Sequence, residues 1–312
     1  MLTKIYHSIL FLLLLVVLKS FCGIGNKNNH KAASKTLPKI SLNTSDRVLP
    51  VLIDKDISIK HYFQFIDSIV EKYNATTPYE LTEHLLVRAN PWIIDTLKNT
   101  DYYTMKDKGV FVYNQKDMLV FHKGDIIHLP DLELANRIKQ SFANTLIDIN
   151  IPEYKLRIYD DSLMLYEFVV RVGRDEKKYL KMAGRTIDLK TKTGKGSIVR
   201  HIRNPDYYNP VNGKRYYVTR RDDNEVTKLP QIPFLETEIN GVRNGQLIHP
   251  TTNPVTLGRA YSNGCIGTKE GDAWVIYYHA PIGTKITIRY DLNVVNNNQE
   301  NIVLNDIYGF IN

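Results

Sequence analysis

Cysteine is almost missing from this 312-residue chain, which has only Cys22 and Cys265. That excludes a disulfide framework. Long apolar runs are missing too. Ile9 to Leu18 is a continuous run of ten, too short to span a bilayer comfortably. There is no zinc-finger spacing and no Lys/Arg block, so the formal charge of +8 does not point to nucleic acid. A polyanionic or carboxylate-bearing substrate fits that charge, and so does a merely soluble basic surface. His84 and His128 have no second ligand at metal spacing, which excludes a metal site there and makes both surface or packing histidines.

What is present begins with a secretion signal over residues 1–22, with Lys4 as its positive start and small Ser20 and Cys22 near a cleavage point. An uncleaved N-terminal anchor, and so a membrane tether, is the alternative. Lipidation of Cys22 is disfavoured by the bulky Phe21 before it. Residues 23–44 are Asn-, Lys- and Ser-rich and read as a flexible linker. If the leader is removed, Cys265 becomes the lone cysteine of an exported chain, which marks it as a free, reactive thiol.

Residues 45–145 read as a small α+β module with a connector helix. Ile59, Tyr62, Phe63, Ile66, Ile69 and Tyr73 share one helical face. Thr77-Pro78-Tyr79-Glu80 reads as a capping box opening a second helix, and Trp92–Leu97 as a third helical piece. Val110–Tyr113, Met118–Phe121 and Ile126–Leu129 read as strands. Asp131 caps the connector through Leu134, Ile138 and Phe142. Lys123 to Pro130 faintly resembles the close of a LysM-type glycan-binding repeat. A wall-binding role and a spacer packed on the enzyme both fit the module.

Residues 146–292 then give strand after strand, which argues for a β-rich domain. Leu163 to Val172 reads as one strand. Between Arg200 and Gln246 lies a long Tyr-, Pro- and Arg-rich stretch with the length of a lid or binding loop. Ile239-Asn240-Gly241-Val242 is a hairpin signal that aims a strand ending at His249. Thirteen residues after His249 begins Ser262-Asn263-Gly264-Cys265, with the cysteine sixteen residues on. A thiolate is the reactive form of cysteine, and an imidazole can generate it. Gly264 and Gly267 permit a tight turn whose N–H groups converge on an oxyanion. Asp272–Tyr277 reads as a helix, Lys285–Ile288 as a closing strand, and residues 293–312 as a tail of no evident use.

His249, twelve intervening residues and Ser262-x-Gly264-Cys265-Ile266 resemble the catalytic domain of the L,D-transpeptidases, the YkuD-type fold. Leu257-Gly258-Arg259-Ala260 resembles that family's approach to its cysteine, and Thr193-Gly194-Lys195-Gly196 a glycine turn before it. Three positions depart: Pro250 where Gly is usual, Asn263 where His is usual, and Gly267 where Arg or Asn is usual. The resemblance implies a YkuD-type β-sandwich and acyl transfer on peptidoglycan stem peptides in the periplasm or cell envelope of a bacterium, with no metal or organic cofactor. It implies Cys265 as nucleophile and His249 as general base. The Gly264 backbone would help form the oxyanion site, and the Pro250 carbonyl would orient the imidazole. Substrate contacts are expected from Ser262, Asn263, Arg259, Tyr261 and Gly267. With no cation at 267, Arg220 or Arg221 is a further candidate for a substrate carboxylate. Two alternatives stay open. One is a carboxypeptidase or endopeptidase using water; the other is a non-catalytic cell-wall-binding protein.

Overall fold

The computed structural model describes residues 47–295 and 298–310. The expected signal or anchor, Cys22 and all of the linker therefore lie outside the described residues. The remainder belongs to one unit, Leu42–Asn312, and no helix among the described residues is long and apolar enough to cross a membrane.

The strand-rich pattern after residue 145 folds into an eight-stranded mixed sheet. Its strands are β1 Thr145–Asn150, β2 Lys155–Asp160, β3 Leu163–Val169, β4 Gly194–Ile202, β5 Phe234–Ile239, β6 Leu247–Pro250, β7 Ile266–Thr268 and β8 Lys285–Arg289. The spatial order is β7-β6-β5-β4-β8-β1-β2-β3. Pairing is antiparallel except for β6 with β7 and β8 with β1. The alternation Ile147, Ile149 buries one face of β1, as period-two patterning requires.

Six helices are described: α1 Ile59–Asn74, α2 Glu83–Arg88, α3 Pro91–Lys98, α4 Tyr102–Asp107, α5 Leu132–Asn144 and α6 Glu270–His279. Asp131 caps α5, accepting from Leu134 N at 2.7 Å. α2 starts later than its expected box. Thr82 is its N-cap, accepting from Leu85 N at 3.2 Å, while the Thr77 hydroxyl closes a turn onto the Tyr79 carbonyl at 2.8 Å. Val110–Tyr113 is not a strand. Val110 N donates back to Met105 O at 3.0 Å to close α4, and Val110, Phe111 and Tyr113 stay exposed. The expected glycine turn at 193–196 lies instead at the start of β4. The expected strand Leu163–Val172 divides: β3 stops at Val169, and Val172–Gly173 pairs in parallel with Ala260–Ser262.

α6 has no solvent-facing polar stripe, and every residue of it except Asp272 is buried, Glu270 and His279 included. β6 lies against it from the sheet, and α2 and α3 cover it from residues 47–145. Trp274, Tyr277 and Tyr278 are fully enclosed. The seam also contains buried ions. Glu83 accepts from Tyr277 and Tyr278 hydroxyls at 3.0 and 2.9 Å and pairs with Arg203 at 2.5 Å. Glu270 takes Arg221 at 2.5 Å, Gln115 Nε2 at 2.8 Å and Tyr102 N at 3.1 Å. The N-terminal elements thus share a core with the sheet, through partners that neither side could leave unpaired.

The C-terminal residues also pack back. Asn293–Val295 pairs with Asn301–Val303, and Tyr308 is buried.

Candidate active site

The parallel pairing of β6 with β7 assembles the site. Ile248 stands opposite Ile266, His249 opposite Gly267 and Pro250 opposite Thr268. Ile248 and Ile266 are buried in the core. Side chains alternate along a strand, so His249 and position 267 face the other way. Cys265 precedes Gly267 by two residues and falls on that same face. The register thus puts Cys265 and His249 on the same side of the sheet.

Cys265 is a free, half-buried thiol. Burial pushes it above its ordinary value, while a backbone hydrogen bond from Leu247 and the charge of Arg171 pull the other way. His249 is lowered to about 4, first by burial and then by Arg171, with the Pro250 carbonyl opposing. Both groups are consequently neutral at pH 7. Pro250 O lies 2.8 Å from His249 Nδ1. A carbonyl only accepts, so Nδ1 carries the proton and Nε2 keeps its lone pair. Phe234 packs on the imidazole at 5.0 Å, and Tyr207 from the long loop packs edge-on against Phe234 at 5.4 Å.

The turn holding Cys265 is closed by its own polar atoms. Ser262 Oγ donates to Cys265 O at 2.6 Å and accepts from Gly264 N at 3.1 Å. Two expectations change here. The Gly264 N–H is already bonded and is not free for an oxyanion, and buried Ser262 builds the turn instead of touching substrate. No hydrogen bond among the described residues takes up the Cys265 N–H. Gly264 has φ +109°, a backbone that L side chains avoid. Its carbonyl accepts from Thr191 Oγ1 at 3.0 Å. Thr191 Oγ1 accepts in turn from Gly173 N at 2.8 Å.

The other expected residues divide. Asn263 Oδ1 accepts from Arg174 Nη2 at 2.9 Å. Tyr261 is exposed beside the turn. Arg259 and Arg220 are exposed. Arg221 is a correction. It is 2% exposed and bonded to Glu270, Gln115 and Thr227, so it is a core ion and cannot reach a substrate. Gly267 lies under the side chain of Arg171, whose residue the motif did not reveal. Thr191, Arg174 and Tyr308 also escaped sequence reasoning, because each comes from a loop or tail with no pattern of its own.

A groove of about 320 Å³ opens at Cys265, lined by Arg185, Asp188, Lys190, Lys192, Gln246 and Asn263 among others. A larger cleft of about 480 Å³, bordered by Glu83, His84, His201 and Arg203, contains none of the expected site residues. No cluster of three or more potential metal ligands occurs among the described residues.

Residues 144–288 match the YkuD family model, described as the L,D-transpeptidase catalytic domain. No curated protein matches. Among solved structures, an L,D-transpeptidase from Mycobacterium smegmatis is 16% identical, with a TM-score of 0.33, over 47% of this chain and 58% of that one. L,D-transpeptidase 3 from Mycobacterium tuberculosis gives 16% and 0.33 over 47% and 61%. An L,D-transpeptidase from Xylanimonas cellulosilytica gives 13% and 0.34 over 78% and 99%. The match thus spans well under two thirds of the mycobacterial chains. The family model thus identifies residues 144–288, a little under half of the chain, as a YkuD domain.

Proposed function

We propose that the protein is an L,D-transpeptidase that acylates Cys265 with a peptidoglycan stem peptide and passes the acyl group to an amine, outside the cytoplasm. The observation that carries this reading is His249 held by the Pro250 carbonyl at 2.8 Å, which leaves the Nε2 lone pair free, on a strand whose register puts His249 on the side of Cys265. His249 Nε2 takes the thiol proton as sulfur attacks the carbonyl of the donor peptide. The C–N bond breaks, the proton goes to the departing amine, and a thioester remains. A second stem's amine then attacks the thioester and regenerates the thiol. The Cys265 N–H is the amide of the turn left to meet the oxyanion. His249 is neutral at neutral pH, so the proton is transferred as the bond forms and no resting ion pair is needed.

Intact-protein mass spectrometry after incubation with a tetrapeptide donor tests the reading. The expected result is an adduct of donor mass less the leaving amino acid, lost in Cys265→Ala. No adduct, or one that persists in Cys265→Ala, overturns it. Analysis of the released product separates an amine acceptor from water.

A further inference from the structure

We infer that Arg171 is the residue that holds the carboxylate of the substrate beside the bond attacked by Cys265, in place of the cation missing from position 267. Arg171 lies between β3 and the short strand Val172–Gly173 and bridges β7 through both backbone bonds to Gly267, at 2.9 and 3.0 Å. Its side chain then runs over the Gly267 α-carbon. A Cβ placed on Gly267 would stand 2.6 Å from Arg171 Nε and 2.9 Å from Cγ. The guanidinium therefore occupies the volume that a side chain at 267 would fill. By the register above, that is the face of Cys265 and His249.

Three observations make this a ligand-holding cation and not a structural one. First, Arg171 has no carboxylate partner among the described residues; its hydrogen bond is from Nη1 to Thr256 Oγ1 at 3.2 Å. Second, Nε is buried with no acceptor, a costly condition for a guanidinium without a ligand. Third, the groups that feel its charge are His249, Cys265, Tyr216 and Tyr261, and both tyrosines are exposed. By contrast Arg221, the buried arginine of the long loop, has its own glutamate. A guanidinium with free N–H groups next to a nucleophile selects a planar anion. The substrate class is thus a peptide with a carboxylate close to the scissile carbonyl. This deepens the acyl-transfer reading and rests on it.

Alkylation of Cys265 tests the assignment without any cell-wall substrate. Iodoacetate carries a carboxylate next to its reactive carbon, and iodoacetamide is its neutral counterpart. The rate ratio of the two, referred to free cysteine in the same buffer, reports a cation at the sulfur. A change in thiol acidity alone moves both rates together and leaves the ratio fixed. Arg171→Met is expected to lower the ratio about five-fold, the scale of one charge-assisted contact. Arg171→Lys should keep most of it. Lys190→Met and Lys192→Met, in the groove, should change it less than two-fold, since each already has a carboxylate partner, Asp175 at 2.9 Å and Asp188 at 3.4 Å. Arg171→Ala combined with Gly267→Arg refills the same space from the opposite strand and should restore the ratio to within about two-fold of the parent. An unchanged ratio in a folded Arg171→Met, or a double variant that stays low, overturns the assignment. If Arg171→Met does not fold, the double variant decides alone. A retained ratio with no donor adduct would reject the stem-peptide reading and leave the anion site standing.

Discussion

The hydroxyl of Tyr308 donates to Gly173 O at 2.5 Å and accepts from Thr191 N at 3.1 Å, so the C-terminal segment is bonded to the loop that supports the Cys265 turn. Thr191 carries the contact onward to the Gly264 carbonyl. Tyr308→Phe leaves two buried backbone groups unpaired, and each such group costs about 1–3 kcal/mol. Urea denaturation should show a loss of that order, and Cys265 should be alkylated at a changed rate. A stability and rate equal to the parent would mean that water replaces the hydroxyl and that the tail does not support the turn.

The pair Cys265–His249 gives a distinctive pH response. His249 is lowered to about 4 and Cys265 is raised. Activity (kcat/KM) should therefore stay flat from pH 8 down to about 5 and fall only as His249 protonates near 4. The alkylation rate should rise with pH beyond about 8.5, where an ordinary thiol is half ionised. A thiolate already formed at pH 6 would show instead that the two groups rest as an ion pair.

His249→Ala should reduce acylation by about 10²-fold or more, the usual scale for losing a general base. Asn263→Ala should do less to the chemistry, because Asn263 Oδ1 bonds Arg174 and not the imidazole. Single-turnover rates of adduct formation compare the two. The reverse order would mean that Asn263 acts on the nucleophile.

Residue pattern placed the proposed nucleophile and base, Cys265 and His249, in one short segment whose hairpin and glycine signals fix its path. The helix α6 and the cap Asp131 were legible for the same local reasons. Arg171 was not. It lies almost a hundred residues before Cys265, and only the backbone bridge to Gly267 brings it there. The expectation that a cation had moved to compensate for Gly267 pointed to Arg220, Arg221 or Arg259, and Arg221 looks in sequence like the other two. Its burial against Glu270 depends on Gln115 and Tyr102, contributed by the N-terminal elements, and no local rule reveals that. Val110–Tyr113 failed in another way: β propensity was present, but the carbonyl of Met105 offered the Val110 amide a nearer partner.

The same pair separates two kinds of arginine by experiment. Arg221→Ala removes one partner of a buried ion pair and leaves Glu270 uncompensated, a change that costs about 3–5 kcal/mol. The expected outcome is a lowered unfolding midpoint with KM little changed in whatever protein stays folded. Arg220→Ala and Arg259→Ala, both at exposed residues, should alter stability by less than about 0.5 kcal/mol. A raised KM with full stability in Arg221→Ala would return Arg221 to the substrate site.

The seam between the N-terminal elements and the sheet is built to fail in acid. His84 stacks on His201 with ring centroids 5.0 Å apart, and each donates Nε2–H to a carbonyl, Tyr277 O at 3.1 Å and Ala280 O at 2.9 Å. Burial lowers His84 to about 3, helped by repulsion from His201, and lowers His201 to about 4, with Arg203 adding to the effect. An unfolded histidine titrates near 6.5. Between these values the unfolded chain binds protons that the folded chain refuses, so stability is complete above pH 6.5 and is lost as the pH falls towards the folded values. From pH 6.5 to 5 each histidine removes roughly 2 kcal/mol at most, at about 1.4 kcal/mol per pH unit. Thermal unfolding at pH 7.5, 6.5, 5.5 and 5.0 should show the midpoint falling across this range. His84→Gln with His201→Gln should flatten the curve, because neither replacement can take up a proton. An equal slope in that double variant would assign the acid sensitivity to other groups, with His249 and His279, both also lowered by burial, the first to examine.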